Sequence, residues 1–465
     1  MLTIYEIVDG KLIEHTFSAK TEFYLESISH LIVYPISDNF LCITNSFRNR
    51  SFLVSKDDWR GVGNYPSGLL EYISYPIEPL KTIDMPQKDI DIMHSSISFS
   101  IVMSYECNLR CKYCYQQCNP DLNKEKITSE NLSVILNTIS QYHLKHPDKT
   151  INIELFGGEP LLVENHDDII KIFDFCVENR FSVCITTNGV NLPYYLKDLV
   201  IYSGLNITIG TTIDSIYSNE STRYSFLDGN GSRSGRILKS VKTLINNDIT
   251  VVVETNVDQH NIDQLGEMIH FYQVNGFLDN PNFYLGIARV DDRRFETGYD
   301  KMVSDSKLIS RLLDLNITEP NIYFAFVKSS LALCRKLDPA FRQMEKKYIS
   351  NYCWASAPLD MVFYIDPDLD VFRCTFTVGR KEYSQFKLSL EALEDYKMPD
   401  RTYLDYTKCQ RCVIGGYCSG GCALSAGVDF DRMCSLEMLD FNSFLTDIFY
   451  PRVRALMCSL PALEN

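Results

Sequence analysis

Four cysteines fall within twelve residues in the stretch "SYECNLRCKYCYQQC", which ends at Cys118 and directly follows the apolar run "ISFSIVM". Cys107, Cys111 and Cys114 have the pattern C-x-x-x-C-x-x-C. Three closely spaced thiolates can hold three irons of a 4Fe–4S cluster and leave the fourth iron open, and an open position marks a catalytic rather than a structural centre. Zinc would need a fourth ligand, which Cys118 could supply. A second group, Cys353, Cys374, Cys409, Cys412, Cys418, Cys422 and Cys434, lies toward the C-terminus. Cys42, Cys176, Cys184, Cys334 and Cys458 are scattered, and in apolar segments such as those of Cys176 and Cys184 a small buried thiol is the default.

The chain's totals bear on both groups. Its 465 residues suffice for roughly three domains, with 45% hydrophobic and 23% charged residues as in a globular protein with a sizeable core. A net charge of −15 speaks against nucleic-acid or anionic-membrane binding. The N-terminus "MLTIYEIVDGKLIEH" lacks the basic and apolar regions of a signal peptide, and no run long enough for a membrane span occurs. The expectation is a cytoplasmic protein, in which 16 cysteines are metal ligands or buried thiols rather than disulfides.

Positioning these thiols requires a frame. From about residue 96, strand-like runs ("ISFSIVMS", "INIELF", "SVCITT", "LNITIG", "ITVVVET", "FYLGIAR") alternate with amphipathic segments such as "SENLSVILNTISQYH" and "HDDIIKIFDFCVEN". Such alternation predicts a parallel α/β sheet, either open or a partial barrel. The expected division is a small N-terminal α+β module over 1–95, the α/β unit over 96–305, and bridging helices with the cysteine-rich region over 306–465. Cys107, Cys111 and Cys114 then follow the first strand of the unit, at the edge where active sites of parallel α/β folds collect. "FGGEP" (156–160), "TTNG" (186–189) and "TTIDSIYSNESTR" (211–223) follow the next three strands.

"CNLRCKYCY" together with "FGGEP" closely resembles the radical S-adenosylmethionine (SAM) enzymes. The resemblance implies a partial (β/α)6 TIM-like barrel in which Cys107, Cys111 and Cys114 hold a 4Fe–4S cluster, with SAM chelating the open iron. Gly157, Gly158 and Glu159 match the motif that receives the methionine amino group, and Arg223 aligns with an arginine that pairs with the SAM carboxylate. Thr187 and Asn188 lie where the family contacts the ribose and methionine moieties, and Tyr113 holds the aromatic position whose backbone meets adenine. Cys118 is then expected to be a free or partly buried thiol, since as a ligand it would close the site.

The C-terminal spacing, ending in "CQRCVIGGYCSGGC" and Cys434, resembles the SPASM extension of radical SAM maturases, with a zinc ribbon as the structural alternative. Family pairing assigns Cys409, Cys412, Cys418 and Cys434 to one auxiliary 4Fe–4S cluster, and Cys353, Cys374 and Cys422 to another. The fourth ligand of the latter is either Cys334 or absent, with an open site or non-cysteine ligand preferred. Leu369 stands where the family has glycine, so a different turn is expected before Cys374. Three 4Fe–4S clusters and SAM are therefore the implied cofactors.

The implied activity is that of a maturase of ribosomally made peptides: a 5′-deoxyadenosyl radical abstracts hydrogen from a side-chain carbon, and a carbon–carbon, ether or thioether crosslink follows. The implied partners are a precursor peptide and a reductase such as flavodoxin or ferredoxin. Residues 1–95 are a candidate leader-recognition module of three strands and helices, or else a cap. Formylglycine formation as in anaerobic sulfatase maturases is disfavoured by Thr375, where those enzymes carry an acid. An iron–sulfur electron carrier or zinc-binding protein explains the cysteines but not "FGGEP" or Arg223. No catalytic base is assigned; Asp366, Asp368 and Asp370 lie near Cys374.

Overall fold

The computed structural model describes residues 1–18, 21–75, 96–118, 122, 126–216, 223–225, 233–324, 333–334, 336–338, 361–397, 408–409, 412–418 and 420–459. Its spine is a ten-stranded sheet. Seven strands are parallel and adjacent in chain order: β8 (Ser96–Val102), β10 (Thr150–Phe156), β11 (Ser182–Thr187), β12 (Ile207–Thr212), β14 (Thr250–Val257), β15 (Phe283–Arg289) and β16 (Ile322–Phe324). This is the α/β partial-barrel class read from the sequence.

Strict alternation builds each strand. In β10, Ile151, Ile153 and Leu155 are buried in the main core with Ile139 of helix Ser129–Lys145 and Ile172 of helix His166–Asn179, while Asn152 and Glu154 point to the opposite face. The first of these helices starts where the Thr128 side chain accepts from the Asn131 amide, and it buries Leu132, Ile135, Ile139 and Tyr142 as one stripe.

The sheet does not stop at the barrel. β17 (Met361–Ile365) pairs parallel with the other side of β8, and β18 (Asp370–Phe372) and β19 (Phe386–Lys387) continue antiparallel. The hairpin leading to Cys374 is thus an extension of the barrel sheet, on the far side of the boundary placed at residue 305.

The turn before Cys374 keeps a glycine-like conformation. Leu369 has φ +66° and is held there by its amide bonding to the Asp366 carbonyl at 3.0 Å, at a cost of about 1–2 kcal/mol for a residue with a Cβ. Asp366 organises the turn: its Oδ1 accepts from the Asp368 amide (3.0 Å) and the Asp370 amide (2.8 Å). Asp366 is therefore the turn builder, while the Asp370 carboxylate accepts from the Ser384 hydroxyl and Lys387 at 2.9 Å each.

Burial pushes the Asp366 carboxyl up from 3.8 to about 6, with Asp370 and Asp368 adding and the backbone amides opposing. The native state then holds this proton to higher pH than the unfolded chain, so stability falls as pH rises from about 4 to about 6. Asp366→Asn, which keeps the accepting oxygen, should flatten this dependence. Urea unfolding at pH 4 and 6 should show wild type losing about 1–3 kcal/mol more than the variant across that window.

The N-terminal module is richer in strands than expected. β1 (Leu2–Val8), β2 (Lys11–Phe17), β4 (Ile32–Pro35), β5 (Phe40–Asn45) and β6 (Arg50–Ser55) form an antiparallel sheet of order β2-β1-β6-β5-β4, and β3 (Glu22–Leu25) pairs with β7 (Gly63–Pro66). Seven strands, five of them in one sheet, precede the four-residue helix Leu70–Ile73, whereas the resemblance implied a three-stranded sheet with helices for a leader-recognition module. One face of this sheet (Ile4, Ile43, Phe52, Val54) packs on Tyr65, Leu69 and Ile73. The other face (Ile7, Cys42, Leu53) joins the main core with Phe441, Phe444 and Val453 of the C-terminal helices.

Candidate functional site

At the C-terminal edge of the barrel, three loops are packed backbone to backbone. The chain leaving β8 runs through Ser104–Glu106 into Cys107. Gly158 and Glu159 donate their amides to the Ser104 and Glu106 carbonyls at 2.9 and 2.8 Å. A Cβ on Gly157 would lie 2.3 Å from the Ser104 oxygen, and one on Gly158 would lie 2.2 Å from the Glu106 oxygen. The glycine pair is therefore required by the neighbouring chain itself, in addition to any ligand.

Glu159 is fully buried and holds the third loop. Its Oε1 accepts from the Thr187 hydroxyl (2.6 Å) and the Leu161 amide (2.9 Å), and its Oε2 accepts from the Asn188 amide (2.7 Å). Its carboxylate thus accepts from three donors of the chain itself. Thr187 likewise spends its hydroxyl on Glu159 and accepts from the Gly189 amide at 3.1 Å. Asn188 faces the cysteine loop: its Nδ2 donates to Asn108 Oδ1 at 2.7 Å and lies 3.6 Å from the Cys107 sulfur.

The cysteine loop is pinned at two further points. β9 (Leu109–Cys111) pairs antiparallel with β13 (Arg223–Ser225), so the Arg223 backbone lies opposite Cys111; the Arg223 side chain is outside the described residues. The Tyr113 hydroxyl donates to Asp214 Oδ2 at 2.5 Å, and the Asn256 amide donates to Asp214 Oδ1 at 3.0 Å. Buried Asp214 thus ties the loop to the ends of β12 and β14. It lies in "TTIDS", already marked as a strand end, but a single aspartate gave no reason to select it.

Burial pushes the Cys107 thiol up to about 12, with Glu159, Cys111 and Cys114 adding to the push. Three soft sulfur donors sharing one low-dielectric pocket fit an iron–sulfur cluster, whose cations would reverse that push. Cys118 is half-buried, with its sulfur 3.5 Å from the Cys114 carbonyl, and burial raises its thiol too. Cys118→Ser should leave iron content and SAM cleavage within about twofold of wild type, because a serine hydroxyl can keep the same hydrogen bond; iron assay and 5′-deoxyadenosine quantification check this.

Around the barrel interior, Glu154 accepts from Ser100 and from Thr186 (2.8 Å). Tyr115, directly after Cys114, packs on Phe376 with ring centroids 4.6 Å apart and hydrogen-bonds Thr375. Burial raises the Tyr115 phenol, with Cys114, Cys374 and Glu154 contributing. This juxtaposition of the first cysteine loop with Cys374 was not read from the sequence; Tyr115 closes the "CNLRCKYCY" stretch, and nothing in that stretch points to Cys374.

Burial pushes Cys409 up to about 11, with Cys412 and Cys434 adding, and Cys434 is raised by burial and Cys412. A Cβ on Gly421 would lie 2.8 Å from Met433 and 3.8 Å from the Cys418 sulfur. Cys409, Cys412 and Cys434 thus lie near one another, with Cys418 beside Gly421 and Met433, and such sulfur donors fit an iron–sulfur cluster. Cys422 precedes helix Ala423–Phe444, and Cys374 precedes the turn Thr375–Thr377. Cys353 lies outside the described residues, and Cys334 is fully buried in the main core. Among the described residues no three His, Cys, Asp or Glu side chains are drawn closely enough to hold a single metal ion, and no helix is long and apolar enough to cross a membrane.

Residues 101–272 match the Radical SAM superfamily. Over 181 residues the chain is 28% identical to GTP 3′,8-cyclase of Clostridium perfringens, covering 38% of this chain and 51% of that protein. Over 351 residues it is 24% identical to the radical SAM cyclopropyl synthase TigE of Paramaledivibacter caminithermalis, covering 70% of this chain and 67% of that one. The chain spans about half the length of the first of these relatives. Among solved structures it is similar to anSMEcpe with bound AdoMet and Cp18Cys peptide, with a TM-score of 0.55 at 14% identity, covering 77% of this chain and 99% of that one. Residues 101–272 are a radical SAM domain.

Proposed function

We propose that this chain, a radical SAM superfamily enzyme through its 101–272 domain, is a peptide maturase. Its reaction installs a crosslink from a side-chain carbon of a ribosomally made precursor. The observation that carries this reading is the contact of Tyr115 with Phe376 and Thr375, which sets the loop of Cys107–Cys114 beside that of Cys374 at one barrel mouth. Two redox centres bordering one lumen suit a reaction in which a hydrogen atom and then an electron and a proton leave the same substrate. SAM bound at the first centre supplies the radical that abstracts the hydrogen atom. The chain's own residues hold the loop (Asn188, Asp214), orient it (Tyr113, Glu159) and bury the site.

The C-terminal region is read as a SPASM extension with two auxiliary 4Fe–4S clusters, on Cys409, Cys412, Cys418 and Cys434 and on Cys353, Cys374 and Cys422. A flavodoxin or ferredoxin supplies electrons in the cytoplasm. The similarity to TigE extends over 70% of the chain, against 38% for the GTP cyclase, which favours a maturase over a nucleotide cyclase. The peptide bound in the anSMEcpe structure is in keeping with a peptide substrate. Thr375, in place of an acid, favours crosslinking over formylglycine formation.

Anaerobically reconstituted protein should be brown and release 5′-deoxyadenosine from SAM after reduction. Co-expression with the short reading frames beside its gene should yield a peptide two hydrogens lighter per modification. A colourless zinc protein without SAM cleavage would sink the radical reading; peptides of unchanged mass would count against crosslinking.

A further inference from the structure

We propose that the Asn45–Arg48 turn of the N-terminal module is the wall of the Cys409–Cys434 centre, with Phe47 as the positioning residue that keeps water from it. The inference rests on the reading that these cysteines hold an iron–sulfur cluster.

The turn is built to be rigid. Asn45 is fully buried; its Oδ1 accepts from the Phe47 amide (3.1 Å) and the Arg48 amide (3.3 Å), and its Nδ2 donates to the Tyr72 and Ser74 carbonyls, each at 3.1 Å. Phe47, 1% exposed, is thereby aimed out of the module's sheet and forms a separate small core with Cys409, 8% exposed, flanked by Tyr75 and Phe430. The Phe47 and Tyr75 rings meet edge to face at 4.8 Å.

The cysteine segment is shaped to receive this turn. Between Cys412 and Cys418, a Cβ on Gly415 would lie 2.8 Å from the Phe47 ring and 3.1 Å from the Cys409 carbonyl. A Cβ on Gly416 would lie 2.3 Å from the Ser46 carbonyl oxygen, and the Gly416 amide donates to the Ser46 hydroxyl at 3.2 Å. The "IGG" of "CVIGGYC" is thus a socket for Ser46 and Phe47, and a residue with a Cβ at either glycine would force the module off the centre. Ser46 and Gly416, 370 positions apart in sequence, share a hydrogen bond at the edge of the thiols.

An apolar wall at this position has a direct consequence. The potential of an iron–sulfur cluster is set in part by solvent exposure and by hydrogen bonds to its sulfurs. Water stabilises the more negative, reduced form, so Phe47 holds the potential down and shields the cluster from dissolved oxidant. The N-terminal module, whatever else it binds, is then part of the redox centre.

The test uses the full chain, reconstituted anaerobically, with Phe47→Ala, Phe47→Leu and Ser46→Ala. For Phe47→Ala, an EPR-monitored titration should show one centre that does not bind SAM shifted about tenfold in its reduction equilibrium toward the reduced form, 59 mV for one electron. Its absorbance should bleach several-fold faster in air. Phe47→Leu should lie near wild type, and Ser46→Ala should shift the same centre less in the same direction, serving where Phe47→Ala does not fold. The SAM-binding centre and its change on adding SAM should stay as in wild type. Iron well above about four per chain, with no variant moving any midpoint or bleaching rate, would overturn the wall alone. Wild-type protein holding only about four irons would overturn both the wall and the auxiliary-cluster reading.

Discussion

Cys107→Ala, Cys111→Ala and Cys114→Ala each reduce 5′-deoxyadenosine formation to background while leaving the chain folded and its C-terminal iron in place. Each substitution removes one of three thiolates that share a pocket; Cys107 in particular is surrounded by Glu159, Cys111 and Cys114 in a site that burial makes hostile to a bare negative charge. A cluster deprived of one ligand loses an iron anchor. The Cys118 sulfur, the nearest in sequence, is engaged at the Cys114 carbonyl. The fold survives because the loop is held by other groups: the β9–β13 pairing, the Tyr113–Asp214 hydrogen bond and the Asn188–Asn108 hydrogen bond. Circular dichroism should be unchanged, iron should fall by about one cluster's worth, and SAM cleavage after chemical reduction should vanish. A single variant that keeps the wild-type rate would remove that cysteine from the ligand set. Joined to an intact Cys118→Ser, the three losses distinguish a three-thiolate centre with an open position from a four-thiolate zinc site.

Why these thiols were legible, and their supports were not, has a physical reason. Period-2 alternation is a local signal: Ile151, Ile153 and Leu155 are buried because each faces the helices, so "INIELF" reads as a strand without reference to anything distant. Cysteine spacing is local as well. The supports are long-range. Glu159 meets Thr187 and Asn188 across 28 and 29 residues, Tyr113 meets Asp214 across 101, and Gly416 meets Ser46 across 370. No window of sequence contains both members of such a pair.

Other features follow the same line. The paired glycines of "FGGEP" were read for a ligand alone, and the Ser104 and Glu106 carbonyls add a second demand for them that no local window shows. The glycines of "CVIGGYC" drew attention only as spacing between cysteines. Leu369 was expected to alter the turn, but Asp366 and its amide partners hold the left-handed conformation regardless of the Cβ. One miss was avoidable. Asp9 and Gly10, both at positive φ, make the two-residue hairpin turn between β1 and β2, and "DG" between alternating apolar residues is a strong local signal. Reading it would have turned the N-terminal module toward an antiparallel sheet.

Glu159→Gln has the second-largest expected effect, and it reaches the site through the hydrogen bonds of the chain itself. The carboxylate offers two acceptors to three donors, all buried: Thr187 hydroxyl and Leu161 amide on one oxygen, Asn188 amide on the other. Glutamine keeps one oxygen and replaces the other with an amide group that can only donate. With its oxygen toward Thr187 and Leu161, the new N–H groups confront the Asn188 N–H; flipped, they confront two donors instead of one. A buried donor left without an acceptor costs about 1–3 kcal/mol, and relief requires moving the Thr187–Asn188 backbone away. That movement carries Asn188 off Asn108 and off the Cys107 sulfur, 3.6 Å distant. The expected outcome is a loss of about 2–3 kcal/mol in stability by denaturant unfolding. SAM cleavage should fall by about 10–100-fold, as for loss of an outer-shell partner that orients metal ligands. Thr187→Val separates the two effects, since it deletes one donor to Glu159 and the acceptor of the Gly189 amide but leaves the Asn188 amide bond intact; it should cost about 1–3 kcal/mol and leave cleavage within about threefold. If Glu159→Gln cleaves SAM at the wild-type rate, Glu159 does not position the cysteine loop. If Thr187→Val matches Glu159→Gln in lost activity, the hydroxyl rather than the Asn188 linkage carries the effect.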